Sequence, residues 1–204
     1  MELIDHGLHN LVSVPADTPG KLHIEIKGNN NTIRVGEGAR FPNMRITVFA
    51  SDCEIDIGSL CVLAGEIHLR ESRTRLRIGE KTTTMGVKIT MHEAGLIDIG
   101  KDCMFAGEVR MDTSDMHSVL DATTGDRLNP PEDIHIGDHV WLGFGTYVMK
   151  GTCIGAHCVV GAGSIVTQDL PPQSLAVGVP ARVIRGGVTW DRRRLPMKNP
   201  QLRL

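Results

Sequence analysis

The chain has 204 residues with 22 basic and 24 acidic side chains, a net charge of −2, and 41% hydrophobic but only 3% aromatic residues. This length is enough for one sizeable domain with its own core, and the charge balance argues against a nucleic-acid surface as the main function. With so few rings, the core has to be built from Val, Ile, Leu, Met, Ala and Cys in thin, regular layers.

The start, MELIDHGLHNLVSV, carries Glu2 and Asp5 and no sustained apolar run. It reads neither as a signal peptide nor as a membrane span, and a cytoplasmic location is expected. Residues 1–19 are taken as a lead-in or cap. From residue 20 the sequence GKLHIEIKGNNNTIRVG is strand-like, with Asn29, Asn30 and Asn31 read as a turn in preference to an asparagine-lined corner. A signature then recurs as IRVG, IDIG, LRIG and IDIG, ending at Gly36, Gly58, Gly79 and Gly100 with spacings of 22, 21 and 21. The five cysteines, Cys53, Cys61, Cys103, Cys153 and Cys158, are an odd set without a C-x-x-C pair. They read as reduced, buried thiols rather than a disulfide framework or a structural zinc site.

Between Gly100 and Gly137 lie 37 positions, about one coil too many for the local period. The excess is TSDMHSVLDATTGDRLNPPED, residues 113–133, which has no repeat register and contains Gly125, Pro130 and Pro131. It is expected to be a long loop thrown out from one corner, and long loops on a rigid scaffold commonly carry function. His117, with Asp115 and Asp121 nearby, is the one residue in it suited to proton transfer near neutral pH. His68 and His92 have no assigned role, while His135, His139 and His157 are expected to point outward. One histidine in the loop does not make the converging set a catalytic zinc site needs, so no metal is expected.

Beyond the loop the period is six. Aliphatic residues fall at Ile136, Leu142, Val148, Ile154, Val160 and Val166, and the position four after each is Val140, Thr146, Thr152, Cys158, Ser164 and Leu170. Six units in register predict a solenoid in which three short strands close one coil of about eighteen residues, with the aliphatic residue inward and the small one at a corner. Gly137, Gly143, Gly155 and Gly161 follow four of the aliphatics, where glycine is expected to tolerate strained turn geometry. An antiparallel sandwich would show hairpin turns and period-two alternation, and a helical array would not recur so often in glycine and β-branched residues. The β-helix is assigned to residues 20–185 and a C-terminal tail to 186–204. In that tail Trp190 is an anchor and Arg192, Arg193 and Arg194 are a solvated run.

The run SDMHSVLD, DIHIGDHVWLG and IGAHCVVGAGSIVTQDLPPQSLAVGVPARVIR resembles the hexapeptide-repeat acetyltransferases. It is similar above all to the maltose and galactoside acetyltransferase branch and to capsule and O-antigen O-acetyltransferases. The resemblance implies a left-handed parallel β-helix, a homotrimer, and acetyl transfer from acetyl-CoA to a sugar hydroxyl of a bacterial surface polysaccharide. His117 falls on the family's general base and Phe144 on the residue whose backbone N–H faces the thioester oxygen, while Asp115, next to the histidine in the loop, is a candidate for substrate binding. Trp141, Gly143, Ala162, Thr167, Arg182 and Arg185 fall on positions around acetyl-CoA, the two arginines near its phosphates. Gln168 stands where the family often has a lysine, and the strand-like start replaces the short helical segment of the maltose and galactoside enzymes. Asp115 and Asp121 are both candidates to orient the imidazole. The competing functions are a non-catalytic β-helix scaffold or binding module, and an acetyltransferase for an amino-sugar or antibiotic acceptor.

Overall fold

A computed structural model describes residues 1–197; the rest of the expected tail, residues 198–204, lies outside the described residues. Among the described residues there are 21 strands and no helix. Every pairing is parallel until the last, where Ser174–Gly178 and Ala181–Gly186 form an antiparallel hairpin that closes the end of the stack. The chain is a three-faced parallel β-solenoid. The first face stacks Thr83–Thr84, Met104–Phe105, Trp141–Leu142, Val159–Val160 and Ser174–Gly178. The second stacks Val87–Met91, Arg110–Asp112, Tyr147–Val148 and Ile165–Val166. The third stacks Thr32–Val35, Glu54–Ile57, Thr74–Ile78, Gly95–Ile99, Ile134–Ile136 and Cys153–Ile154.

The register reproduces the spacings of the sequence. Arg34 pairs with Asp56, Asp56 with Arg77 and Arg77 with Asp98, then Asp98 reaches His135 across the long interruption and His135 pairs with Cys153. All six periodic aliphatics are buried, as are all six residues four positions later. Like residues therefore stack on like, and each buried aliphatic contributes roughly 1.5–3 kcal/mol of transfer free energy. Buried Cys53, Cys61, Cys103 and Cys158 occupy corners, and Cys153 is exposed.

Two expectations need correction. The solenoid starts near residue 2 rather than 20, because Glu2–Asp5 pairs in parallel with His23 to Ile26 and Leu11–Ser13 with Thr32 to Arg34. These first strands are largely exposed and lack the aliphatic-glycine signature. The glycines after the periodic aliphatics do not supply positive φ either; that conformation falls on corner residues such as His139 (55°) and His157 (64°). What glycine provides there is room, since a Cβ on Gly143 would sit 2.6 Å from the Ala162 nitrogen of the next coil.

Candidate active site

Residues 113–133 leave the prism between Arg110–Asp112 on the second face and Ile134–Ile136 on the third, as the broken repeat implied. Glu93, one coil earlier, ties both ends of this loop. It accepts from Ser114 Oγ (2.5 Å) and takes a two-pronged hydrogen bond from Arg127 (2.6 and 2.7 Å). These hydrogen bonds, that of Arg127 first, lower its carboxyl from 4.5 to about 2. Asn129 crosses the loop, with Nδ2 donating to the His117 carbonyl (2.8 Å) and to Asp115 (2.9 Å) and Oδ1 accepting from Val119 N (2.7 Å). The backbone of His117 is thus fixed while its ring is exposed and hydrogen-bonds to no described residue.

Neither carboxylate considered as an orienting partner serves the imidazole. Asp115 is held by Lys150 (2.6 Å) and Asn129, which lower its pKa in that order of effect. Asp121 accepts from the backbone of Thr123 and Thr124 and shapes the loop tip. Lys150 also donates to the Pro130 carbonyl, so Asp115 and Lys150 together staple the loop to the strand Tyr147–Val148.

Beside the loop root, the second face carries a cleft of about 270 Å³ lined by Lys88, His92, Arg110, Asp112, Tyr147 and Lys150, among others. In it His92 Nδ1 lies 2.5 Å from Asp112 Oδ2, both side chains being largely buried. Burial is the largest influence on Asp112 and raises its pKa, against the hydrogen bond from His92. His92 and Asp112 are 20 residues apart and meet only because consecutive coils stack, so no local motif announced them.

The remaining expected site residues gather elsewhere. Trp141 points out from the first face, and Phe144 at the edge between first and second faces is exposed and packs over Gly107. Its N–H donates to no described residue, while its carbonyl accepts from Gly163 N (2.8 Å). Ala162 lies one coil above Phe144 and is exposed beside Gly143. Arg182 and Arg185 project from the terminal hairpin. Thr167 follows Val166 on the second face, on the loop side. One chain therefore brings Trp141, Gly143, Phe144 and Ala162 together but leaves His117 at a different edge of the prism.

The tail after the hairpin folds back along the edge between third and first faces. Val188 bonds to Gln173 O, and Trp190 stacks on His139 with centroids 4.2 Å apart and a 9° tilt while donating to the His139 carbonyl (2.8 Å). Arg192 then reaches Asp102 (3.0 Å), Thr83 Oγ1 (2.8 Å) and the carbonyls of Lys81 and Cys103. Trp190 is the expected anchor, but Arg192 is docked rather than solvated, and His139 is a partner for Trp190 and Asp102 rather than a free outward group. Burial opposes the charge on Asp102, yet hydrogen bonds from His139 and Arg192 outweigh it and lower its pKa. Trp190 also stands 6.2 Å from Trp141, so the tail borders the first-face cluster.

Residues 133–168 match the family model described as bacterial transferase hexapeptide (six repeats). A polysialic acid O-acetyltransferase of Neisseria meningitidis is 32% identical over 155 residues, 72% of this chain and 69% of the relative. The polysialic acid O-acetyltransferase of Escherichia coli O1:K1 / APEC is 32% identical over 120 residues, 58% of this chain and 39% of that longer protein. Among solved structures, the polysialic acid O-acetyltransferase OatWY superposes with a TM-score of 0.91 at 28% identity, covering 96% of this chain and 93% of its own. The polysialic-acid-specific acetyltransferase NeuO gives 0.86 at 28% identity, covering 94% and 89%. A solenoid matched over nearly its whole length, and a sequence match over 72% of the chain, place this chain in the hexapeptide-repeat acetyltransferase family.

Proposed function

We propose that this enzyme transfers the acetyl group of acetyl-CoA to a hydroxyl of an acidic polysaccharide, polysialic acid or a polymer like it, with His117 as general base. The observation that carries the reading is an unengaged imidazole on a loop tied at three points, one of them the His117 carbonyl itself, beside a cleft lined with cations. The neutral His117 ring takes the hydroxyl proton as that oxygen attacks the thioester carbonyl carbon. The carbon–sulfur bond then breaks, and the proton passes from His117 to the departing CoA thiolate. No covalent enzyme intermediate is needed, because holding the two substrates together removes much of the barrier. The Phe144 N–H, which has no partner among described residues, is suited to the developing oxyanion. Gly143, Ala162 and Trp141 form the wall for the acyl and pantetheine portions, with Thr167 across the second face. Arg182 and Arg185 supply positive charge for the CoA phosphates.

Because His117 and the Trp141–Phe144 cluster occupy different edges of one prism, the complete site forms between copies, and a homotrimer supplies this arrangement in a closed ring. No helix among the described residues is long and apolar enough to cross a membrane, and the use of acetyl-CoA favours action in the cytoplasm. The test follows CoA release with oligosialic acid, neutral oligosaccharides and amino sugars as acceptors. Wild type is expected to prefer the acidic saccharide, and His117→Ala to lose about 10²- to 10⁴-fold in kcat. Equal activity of the two proteins on the true acceptor would refute the general-base role.

A further inference from the structure

We propose that the second-face cleft around His92 and Asp112 is a subsite for one carboxylated sugar unit of the acceptor, with His92 Nε2 accepting a hydrogen bond from a sugar hydroxyl and Lys88 and Arg110 facing the carboxylate. The inference rests on the acidic-acceptor reading above and gives it a location. Four observations support it.

First, the imidazole is held in one sense. Its Nδ1 is 2.5 Å from Asp112 Oδ2, and Asp112 Oδ1 accepts from the Ser114 backbone (3.1 Å). A carboxylate only accepts, so Nδ1 carries a proton, and in the neutral imidazole it is Nε2 that presents a lone pair. Second, Nε2 is available. It bonds to no described residue, and the one fully buried and unpartnered side-chain atom among the described residues is Thr113 Oγ1, so Nε2 is open to solvent. Third, the cleft has the charge for an anion. Lys88, Arg110 and Lys150 line it against Asp112 and Asp115, and both carboxylates are already satisfied, by His92 and by Lys150. Lys88 forms no hydrogen bond or ion pair through its side chain with a described residue, and Arg110 has only a 3.5 Å contact with exposed Glu108. Fourth, the two cations are neighbours by construction, since Lys88 pairs with Arg110 and Arg110 with Tyr147 in successive coils. A cation pair for the carboxylate and an acceptor for a hydroxyl thus lie on a rigid sheet, next to the loop root that carries His117.

His92 is on this reading a substrate-binding residue and Asp112 its positioning residue. The experiment measures acetyl-CoA-dependent CoA release by the full chain with oligosialic acid and with the same oligomer methyl-esterified at its carboxylates. His92→Ala is expected to raise the acceptor KM about 10-fold and leave the acetyl-CoA KM unchanged, with His92→Gln, which keeps an acceptor, in between. Esterification is expected to lower wild-type kcat/KM about 10- to 100-fold, and Lys88→Ala combined with Arg110→Ala to remove most of that preference. An unchanged acceptor KM in His92→Ala, with wild type active, overturns the subsite and leaves the general-base reading standing. A collapse of kcat at constant KM overturns it too, by placing His92 at the chemistry. If wild type acetylates neutral saccharides as well as acidic ones, the acceptor reading fails and the subsite with it. Retained acetyl-CoA KM in each variant shows that the fold has survived.

Discussion

Asn129→Ala isolates what the loop tether does. The Asn129 side chain makes four hydrogen bonds, to Asp115, to the His117 carbonyl, from Val119 N and from Arg127 Nε (3.3 Å). All are exposed, so each is worth the lower part of the usual net range, and their joint loss costs about 2 kcal/mol. That cost falls on local opening of the loop, not on global unfolding, because none of these groups is in the core. A change of about 2 kcal/mol corresponds to about 30-fold in the opening equilibrium. Amide exchange of His117, whose N–H bonds to Asp115 O, and of Leu128, whose N–H bonds to Val119 O, should accelerate by that factor. Exchange in Ile134–Ile136 and Gly95–Ile99 should not change, and the midpoint of thermal unfolding should move by less than about 2 °C. Mass-spectrometric exchange on peptides spanning residues 115–128 measures this. Unchanged loop exchange, or a uniform increase through the solenoid, would refute the tether.

The acidity of Glu93 makes the same loop acid-labile. Its folded pKa of about 2 lies below the ordinary 4.5, so its contribution is complete above pH 4.5 and disappears as pH falls from there towards 2. Pepsin cleavage within residues 116–128, corrected against an unfolded peptide, should rise over that window in wild type and be already high at pH 4.5 in Glu93→Gln. Trp190→Ala removes the stack on His139 and the Nε1 hydrogen bond, and trypsin should then cut at Arg192 at least about 10-fold faster, with the solenoid intact. Burial pushes Cys61 and Cys103 up to about 11, and Cys53 and Cys158 are also buried. At pH 8 a thiol reagent should therefore titrate exposed Cys153 quickly and the other four only on unfolding; a second fast thiol would contradict the corner assignment.

Much of this architecture was legible because a solenoid converts sequence period directly into stacking. Ile136, Leu142 and Val148 are buried for the same reason that they recur, and the break in period fixed the loop at 113–133 because nothing else lengthens a coil by that amount. The first coil is not legible in the sequence because an end coil has a solvent side: Leu3, Ile4 and Leu11 remain exposed and carry no strong pattern. The pairing of His92 with Asp112 and the docking of Arg192 on Asp102, 90 residues away, depend on which outward side chains share an edge. The inward period says nothing about that. The glycine positions follow from the period but their reason does not, since the period marks a close approach of coils as readily as a strained turn.

The proposed division of the site between two edges leads to a sharper test than oligomer size. If His117 of one copy serves the Trp141–Phe144 edge of the next, the variants His117→Ala and Trp141→Ala each lack one half of every site. When the two inactive proteins are unfolded, mixed in equal amounts and refolded, each interface draws its His117 edge and its Trp141 edge independently. About one interface in four then receives both intact edges, and the mixture should recover about a quarter of wild-type activity per site. A site contained within one chain gives no recovery, because every chain in the mixture carries one lesion. Mixing without unfolding is the control, since preformed closed rings retain a lesion at every interface until subunits exchange. Recovery that grows with time in the mixture that was never unfolded would measure that exchange, whereas a mixture that stays inactive after refolding would place the whole catalytic apparatus on a single prism.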